Sequence, residues 1–272
     1  MRAALIQFTA GDDPSVNLEA LRSLLAQAAH DGADLILTPE VSNIVSTSRR
    51  HQNEVLHKEA DDPSLAALRN DAEKLGVWLL VGSLALKTGD PDGRFANRSF
   101  MISPKGAICA RYDKIHMFDV EIDARESYRE SAGYRPGSKA VVAHTALAKV
   151  GMTICYDMRF PHLFRRLAKA GAQIITVPAA FSPVTGAAHW ESLLRARAIE
   201  NGVFILAPAQ CGQNTANRAT YGHSLVVSPW GEILADAGDG PGITMVDLDL
   251  EDVERSRGRV PSLFHDREFE GP

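Results

Sequence analysis

The chain has 272 residues, 45% of them hydrophobic and 23% charged, with a formal net charge of −5. A chain of this length can bury a large core without disulfides or metals, as one large domain or two small ones. The acidic balance gives no whole-molecule reason to hold nucleic acid or an anionic membrane, and no stretch approaches the roughly 20 apolar residues that cross a bilayer.

At the N-terminus, Met1-Arg2 precedes a short apolar run that Gln7 interrupts, unlike a signal peptide. Apolar runs then predict strands over 3–9, 34–38, 77–86, 99–103, 108–112, 150–155, 173–178, 203–208, 224–228 and 243–248. Helical periodicity predicts helices over 14–30, 63–75, 161–170, 187–201 and 250–258. Pro14 after Asp13 and Pro63 after Asp62 each read as a capping acid with proline in the first turn, and Gly32 and Gly76 suit C-terminal caps. The alternation argues for an α/β protein, and the turns at 89–93 and 103–106 make its sheet mixed. The two halves look alike, which fits either internal pseudo-symmetry or any α/β chain. No boundary emerges, so 1–272 is read as a single domain.

The chemistry begins at Val150-Gly-Met-Thr-Ile-Cys155-Tyr-Asp-Met-Arg-Phe-Pro161. A strand running straight into Cys155 would expose a nucleophile at the sheet end, with backbone N–H groups such as that of Tyr156 able to face an oxyanion. A buried structural cysteine is the bland alternative. Two other apolar runs end in suitable partners: Asp34-Leu-Ile-Leu-Thr-Pro-Glu40 in a carboxylate, and Ala110-Arg-Tyr-Asp-Lys114 in an ammonium. Each alone reads as a solvated charge. Ligands gather at the carboxyl ends of strands in open α/β sheets, so the three could converge.

These segments resemble the nitrilase superfamily of carbon–nitrogen hydrolases, whose signatures match Thr38-Pro-Glu40, Tyr112-Asp-Lys114-Ile-His and Ile154-Cys155-Tyr-Asp-Met-Arg-Phe. Later segments, Phe181 to Glu191, Arg195 to Asn201, Ala209-Gln-Cys-Gly212 and Tyr221-Gly-His-Ser224, resemble its amidase branch, which contains deaminated-glutathione amidase and omega-amidase. The resemblance implies a four-layer α-β-β-α sandwich with two mixed sheets. It also implies Glu40 as general base, Cys155 as nucleophile and Lys114 as support for the tetrahedral intermediate. A second glutamate of the family falls on Glu130, with Glu126 as its competitor. Burial would raise the Glu40 pKa, whereas a nearby lysine would lower it and favour the thiolate, so the set titrates as a coupled system.

His162 stands where the family commonly has a glutamate, and either faces solvent or alters the pocket rim. Tyr156 and Arg159 are candidate substrate contacts; Arg159 could hold a substrate carboxylate or pair with Asp157. His116 and His189 have no metal-ligand or papain-type spacing around them, so no metal or cofactor is expected. Glu191 with Arg195, and Arg197 with Glu200, read as helix ion pairs or as part of a subunit interface, and Trp190 as core. Cys109 and Cys211 read as inert, with Cys211 a possible lining group. The scattered, odd cysteines argue against a disulfide framework and for the cytoplasm. Gly238-Asp-Gly-Pro-Gly242 lacks a phosphate-binding pattern and reads as a turn. The expected function is a cysteine amidase for a small carboxylate-bearing amide, working as a homodimer or higher homo-oligomer. The alternatives are a nitrilase or N-carbamoyl amide hydrolase, and a non-catalytic binding module.

Overall fold

The computed structural model describes residues 1–122 and 127–271. Two six-stranded sheets dominate. The first runs Gly242–Asp247, Arg2–Gln7, Leu35–Leu37, Trp78–Lys87, Phe95–Ile102, Ile108–Asp113. The second runs Ile233–Asp236, Leu225–Val227, Phe204–Ala207, Ile174–Thr176, Lys149–Met152, Val141–His144. In both, three parallel strands form the centre, one antiparallel strand flanks them on one side and two on the other. Of the two readings of the similar halves, the shared strand pattern favours pseudo-symmetry.

The layers follow from side-chain alternation. Ala4, Ile6, Ile36 and Leu79 turn outward beneath helices Pro14–His30 and Pro63–Leu75, packing on Leu21, Leu25 and Leu68. Their neighbours Leu5, Leu35, Leu37 and Leu80 turn inward and share one cluster with Val150, Met152 and Ile174 of the second sheet. Helices Pro161–Lys169 and Pro183–Asn201 cover the far face with Phe164, Leu167, Trp190 and Leu194. Sheets buried on both faces read as nearly continuous apolar runs, which is why most of their strands were visible in the sequence; Val141–His144 and Ile233–Asp236, the less buried edge strands of the second sheet, were not anticipated. The result is the expected α-β-β-α sandwich.

The anticipated caps form. The Asp13 carboxylate accepts from the Ser15 and Val16 N–H groups, Asp62 accepts from Leu65 N–H at 2.8 Å, and Gly76 ends its helix at φ 68°. Helix Arg49–Val55 and the ribbons Asp119–Glu121/Ser127–Arg129 and Cys211–Thr215/Arg218–Tyr221 were not anticipated. Both ribbons reach the functional site. Among the described residues, no helix is long and apolar enough to cross a membrane.

Candidate active site

Glu40 stands just past strand Leu35–Leu37. Its loop is pressed against the next strand at Gly82, where an added Cβ would lie 1.9 Å from the Thr38 carbonyl oxygen. Only glycine permits that approach. The residue after Glu40, Val41, takes φ +46°, a conformation that costs a branched side chain energy.

Cys155 opens a 3-10 turn, Cys155–Arg159, immediately beyond strand Lys149–Met152 and the connecting Thr153-Ile154. Its φ is +48°, and its N–H donates to the Pro178 carbonyl at 2.9 Å. Left-handed backbone at a non-glycine residue is sustained only where surroundings fix it. Here the fully buried Asp157 does so: it accepts from Ile154 N–H at 2.9 Å, Tyr112 OH at 2.6 Å and His116 N–H at 3.1 Å, and its carboxylate lies 2.6 Å from His116 Nδ1. The His116 ring stacks on Phe160 with centroids 3.5 Å apart. Arg197 reaches beneath the same turn and donates to the Met158 carbonyl at 2.8 Å.

Lys114 leaves the edge strand Ile108–Asp113 and turns inward. Its Nζ donates to Glu40 Oε1 at 2.8 Å and lies 2.9 Å from each oxygen of Glu130. Glu130 sits in a short turn, Glu130–Ala132, and accepts from the Phe118 N–H at 2.6 Å. Asn97 Nδ2 donates to Glu40 Oε1 at 2.8 Å, and the Ala180 N–H donates to Glu40 Oε2 at 2.8 Å. The Cys155 thiol lies close enough to Glu40 for each group to shift the other's protonation.

Two carboxylates and one ammonium set the protonation state. Burial pushes the Glu40 carboxyl up, but the Lys114 ammonium, the neighbouring Cys155 thiol and the Asn97 hydrogen bond outweigh it and hold the group below the ordinary range. Burial pushes Lys114 down, and the two glutamates outweigh that, so it stays charged. For Cys155, burial and the Glu40 charge both act upward and outweigh Lys114, so the sulfur rests as a neutral thiol. Lys114 does act toward the thiolate, as expected, but burial first and the Glu40 carboxylate second outweigh it.

Glu40, Lys114, Glu130 and Cys155 share the wall of a cavity of about 360 Å³, with Tyr128, Tyr134, Phe181, Arg129 and Arg218 among its other lining residues. Glu126 lies outside the described residues. Tyr156 and Arg159 do not line this cavity. Arg159 lies over the rings of Tyr156 and Phe181 and 3.2 Å from His189 Nδ1, and it does not pair with Asp157, which is committed beneath the Cys155 turn. His162 is exposed. Cys109 is exposed; Cys211 is buried with its sulfur 3.6 Å from Thr9 Oγ1, away from the cavity lining. Trp190 is core, its Nε1 donating to the His223 carbonyl at 2.8 Å. Asn97 and Arg218 were missed, the first because it sits mid-strand and the second because nothing marks its ribbon.

The sandwich, with an acid, an ammonium and a thiol meeting where its strands end, defines a thiol hydrolase. A carbon–nitrogen hydrolase family model matches residues 2–257, and the chain belongs to that family. It is similar to the deaminated glutathione amidase of Yersinia enterocolitica, at 41% identity over 97% of this chain and 92% of that protein. Saccharomyces cerevisiae Nit3, described as a member of branch 10 of the nitrilase superfamily, superposes with a TM-score of 0.85 at 30% identity, over 96% of this chain and 94% of that one. A glutamate-to-glutamine variant of an amidase from Nesterenkonia sp. AN1 superposes with a TM-score of 0.79 at 29% identity, over 94% and 92% of the two chains. That variant carries the acetamide moiety of fluoroacetamide added covalently to its active-site cysteine. The chain is accordingly an enzyme, an amidase that hydrolyses carbon–nitrogen bonds with a thiol.

Proposed function

We propose that this amidase cleaves a small carboxylate-bearing amide through a thioester on Cys155, with Glu40, Lys114 and Glu130 as its charged partners. One observation carries the reading: Glu40, bound to the Lys114 ammonium at 2.8 Å, shares the wall of a cavity of substrate size with the Cys155 thiol.

Glu40, ionised at rest, takes the thiol proton as sulfur attacks the amide carbonyl carbon. The carbonyl oxygen becomes anionic and is stabilised by the Lys114 ammonium. Glu40 returns the proton to the amide nitrogen, the C–N bond breaks, and ammonia or an amine leaves. Glu40 then takes a proton from water, hydroxide attacks the thioester, and the proton passes to the departing sulfur. A free acid is released and the thiol is restored. Glu130 keeps Lys114 in place, and Arg159 supports the Phe181 side of the cavity.

The relatives whose names specify deaminated glutathione support an amide of this class. The three free cysteines support a cytoplasmic setting, and exposed Ile199, Val260 and Phe264 support a homo-oligomer. We read 1–272 as one carbon–nitrogen hydrolase domain. The test is ammonia release from an amide panel that includes alpha-keto acid monoamides, with mass spectrometry of the quenched enzyme. Turnover with an acyl adduct on Cys155 is expected. An adduct bearing a carbamoyl group, or turnover of nitriles alone, would move the chain to a sister activity. No turnover and no adduct would leave a binding module.

A further inference from the structure

Three described cations line the cavity: Lys114, Arg129 and Arg218. Lys114 is already paired with Glu40 and Glu130. Arg129 is largely exposed and pairs with Glu121 at 2.8 Å. Arg218 differs from both. Its Nη2 donates to the Ala180 carbonyl at 3.2 Å, and its guanidinium lies 5.3 Å from the centre of the Tyr128 ring. Its Nε is cut off from solvent with no hydrogen-bond partner, and no carboxylate among the described residues neutralises it. A buried N–H of a permanently charged group without an acceptor is costly, and such groups in a cavity are satisfied by what the cavity takes.

We propose that Arg218 is the anchor for the substrate's carboxylate, and so the residue that makes this site prefer acidic amides; this rests on the amidase reading above. A planar guanidinium matches a carboxylate with charge-assisted hydrogen bonds, a fit a lysine would not reproduce. Its position also sets a register. Ala180 donates its N–H to Glu40 Oε2 and lends its carbonyl to Arg218, so a single residue links the base and the anchor. A substrate whose carboxylate rests on Arg218 therefore has its position along the wall fixed relative to Glu40 and the thiol. Arg159, the arginine suggested by sequence, stands outside the lining.

The test compares glutarate monoamide with the neutral valeramide. In a Cys155→Ala background, calorimetry is expected to give about 30-fold weaker binding of glutarate monoamide once Arg218→Gln is added. In the active enzyme, the ratio of kcat/KM for glutarate monoamide to that for valeramide is expected to fall by a similar factor, chiefly through KM. Arg218→Lys should restore part of the ratio, and Arg159→Gln should leave it. An unchanged ratio in Arg218→Gln, or a ratio lost in Arg159→Gln instead, overturns the anchor. Arg218-dependent binding without ammonia release from either amide supports the anchor and overturns the amidase reading, so the two failures are distinct.

Discussion

Glu130 closes both carboxylate oxygens around the Lys114 ammonium at 2.9 Å, while Glu40 takes the same nitrogen at 2.8 Å. One cation therefore carries two counterions in a site screened from water. Glu130 also adds to the negative potential that keeps Cys155 protonated. Glu130→Gln is expected to lower the Cys155 pKa, moving iodoacetamide labelling of that residue to lower pH. The same variant should lose about 100-fold in kcat, because Lys114 is no longer held. Labelling that keeps its pH dependence would contradict the charge balance described here.

Cys155→Ala should fold like the parent, since it removes one sulfur atom, yet lose turnover by several orders of magnitude. Ammonia assays beside a thermal melt check both halves. Comparable turnover would refute covalent catalysis.

The pH profile follows from the directions of the shifts. Glu40, ordinarily near 4.5, is lower in the folded protein, so its charge contributes stability above 4.5 that is lost as pH falls through the lower folded value. Lys114, ordinarily near 10.5, is raised, so its contribution is present below 10.5 and is lost as pH rises through the folded value. The Cys155 thiol, ordinarily near 9.0, is raised and stays neutral. Between about pH 5 and 9 none of the three changes charge, and kcat/KM is expected to be flat there. A titration step near neutrality in that profile would count against this set.

Asp157 holds the turn that presents the thiol. Asp157→Ala strands the N–H groups of Ile154 and His116 and the Tyr112 hydroxyl, and should cost about 3 kcal/mol or more. Tyr112→Phe removes one bond and should cost about 1 kcal/mol. Urea unfolding separates the two, and equal losses would argue against a shared acceptor.

Gly82→Ala forces a methyl group to within 1.9 Å of the Thr38 carbonyl and 2.5 Å of that of Pro39. The loop carrying Glu40 must move, so activity should collapse and stability fall by roughly 3 kcal/mol. Wild-type turnover in this variant would mean the loop has slack that the packing denies.

Glu40, Lys114 and Cys155 were legible because each terminates an apolar run, and the end of a run is where a sheet meets solvent or ligand. Glu130 was legible only through resemblance, since its turn has no periodicity. Asn97 was hidden because the polar run Asn97-Arg98-Ser99 interrupts strand Phe95–Ile102 and breaks its apolar pattern. Helix Arg49–Val55 has no apolar stripe, and helix Pro183–Asn201 starts in Pro183, Thr185 and Gly186, poor helix formers that disguise its first turn. Asp157 reads in the sequence as an ion-pair partner of Arg159, because nothing there shows that an acid two residues past Cys155 has four donors folded over it.

The resting protonation of Cys155 bears on how the protein ages. Peroxide attacks thiolates far faster than thiols, so a sulfur that keeps its proton, in a recess, is a slow target for sulfenic acid formation. The exposed Cys109 would be spent first. If, as proposed, the sulfur loses its proton only as it attacks an amide, the resting protein spends little time in the form that oxidants attack.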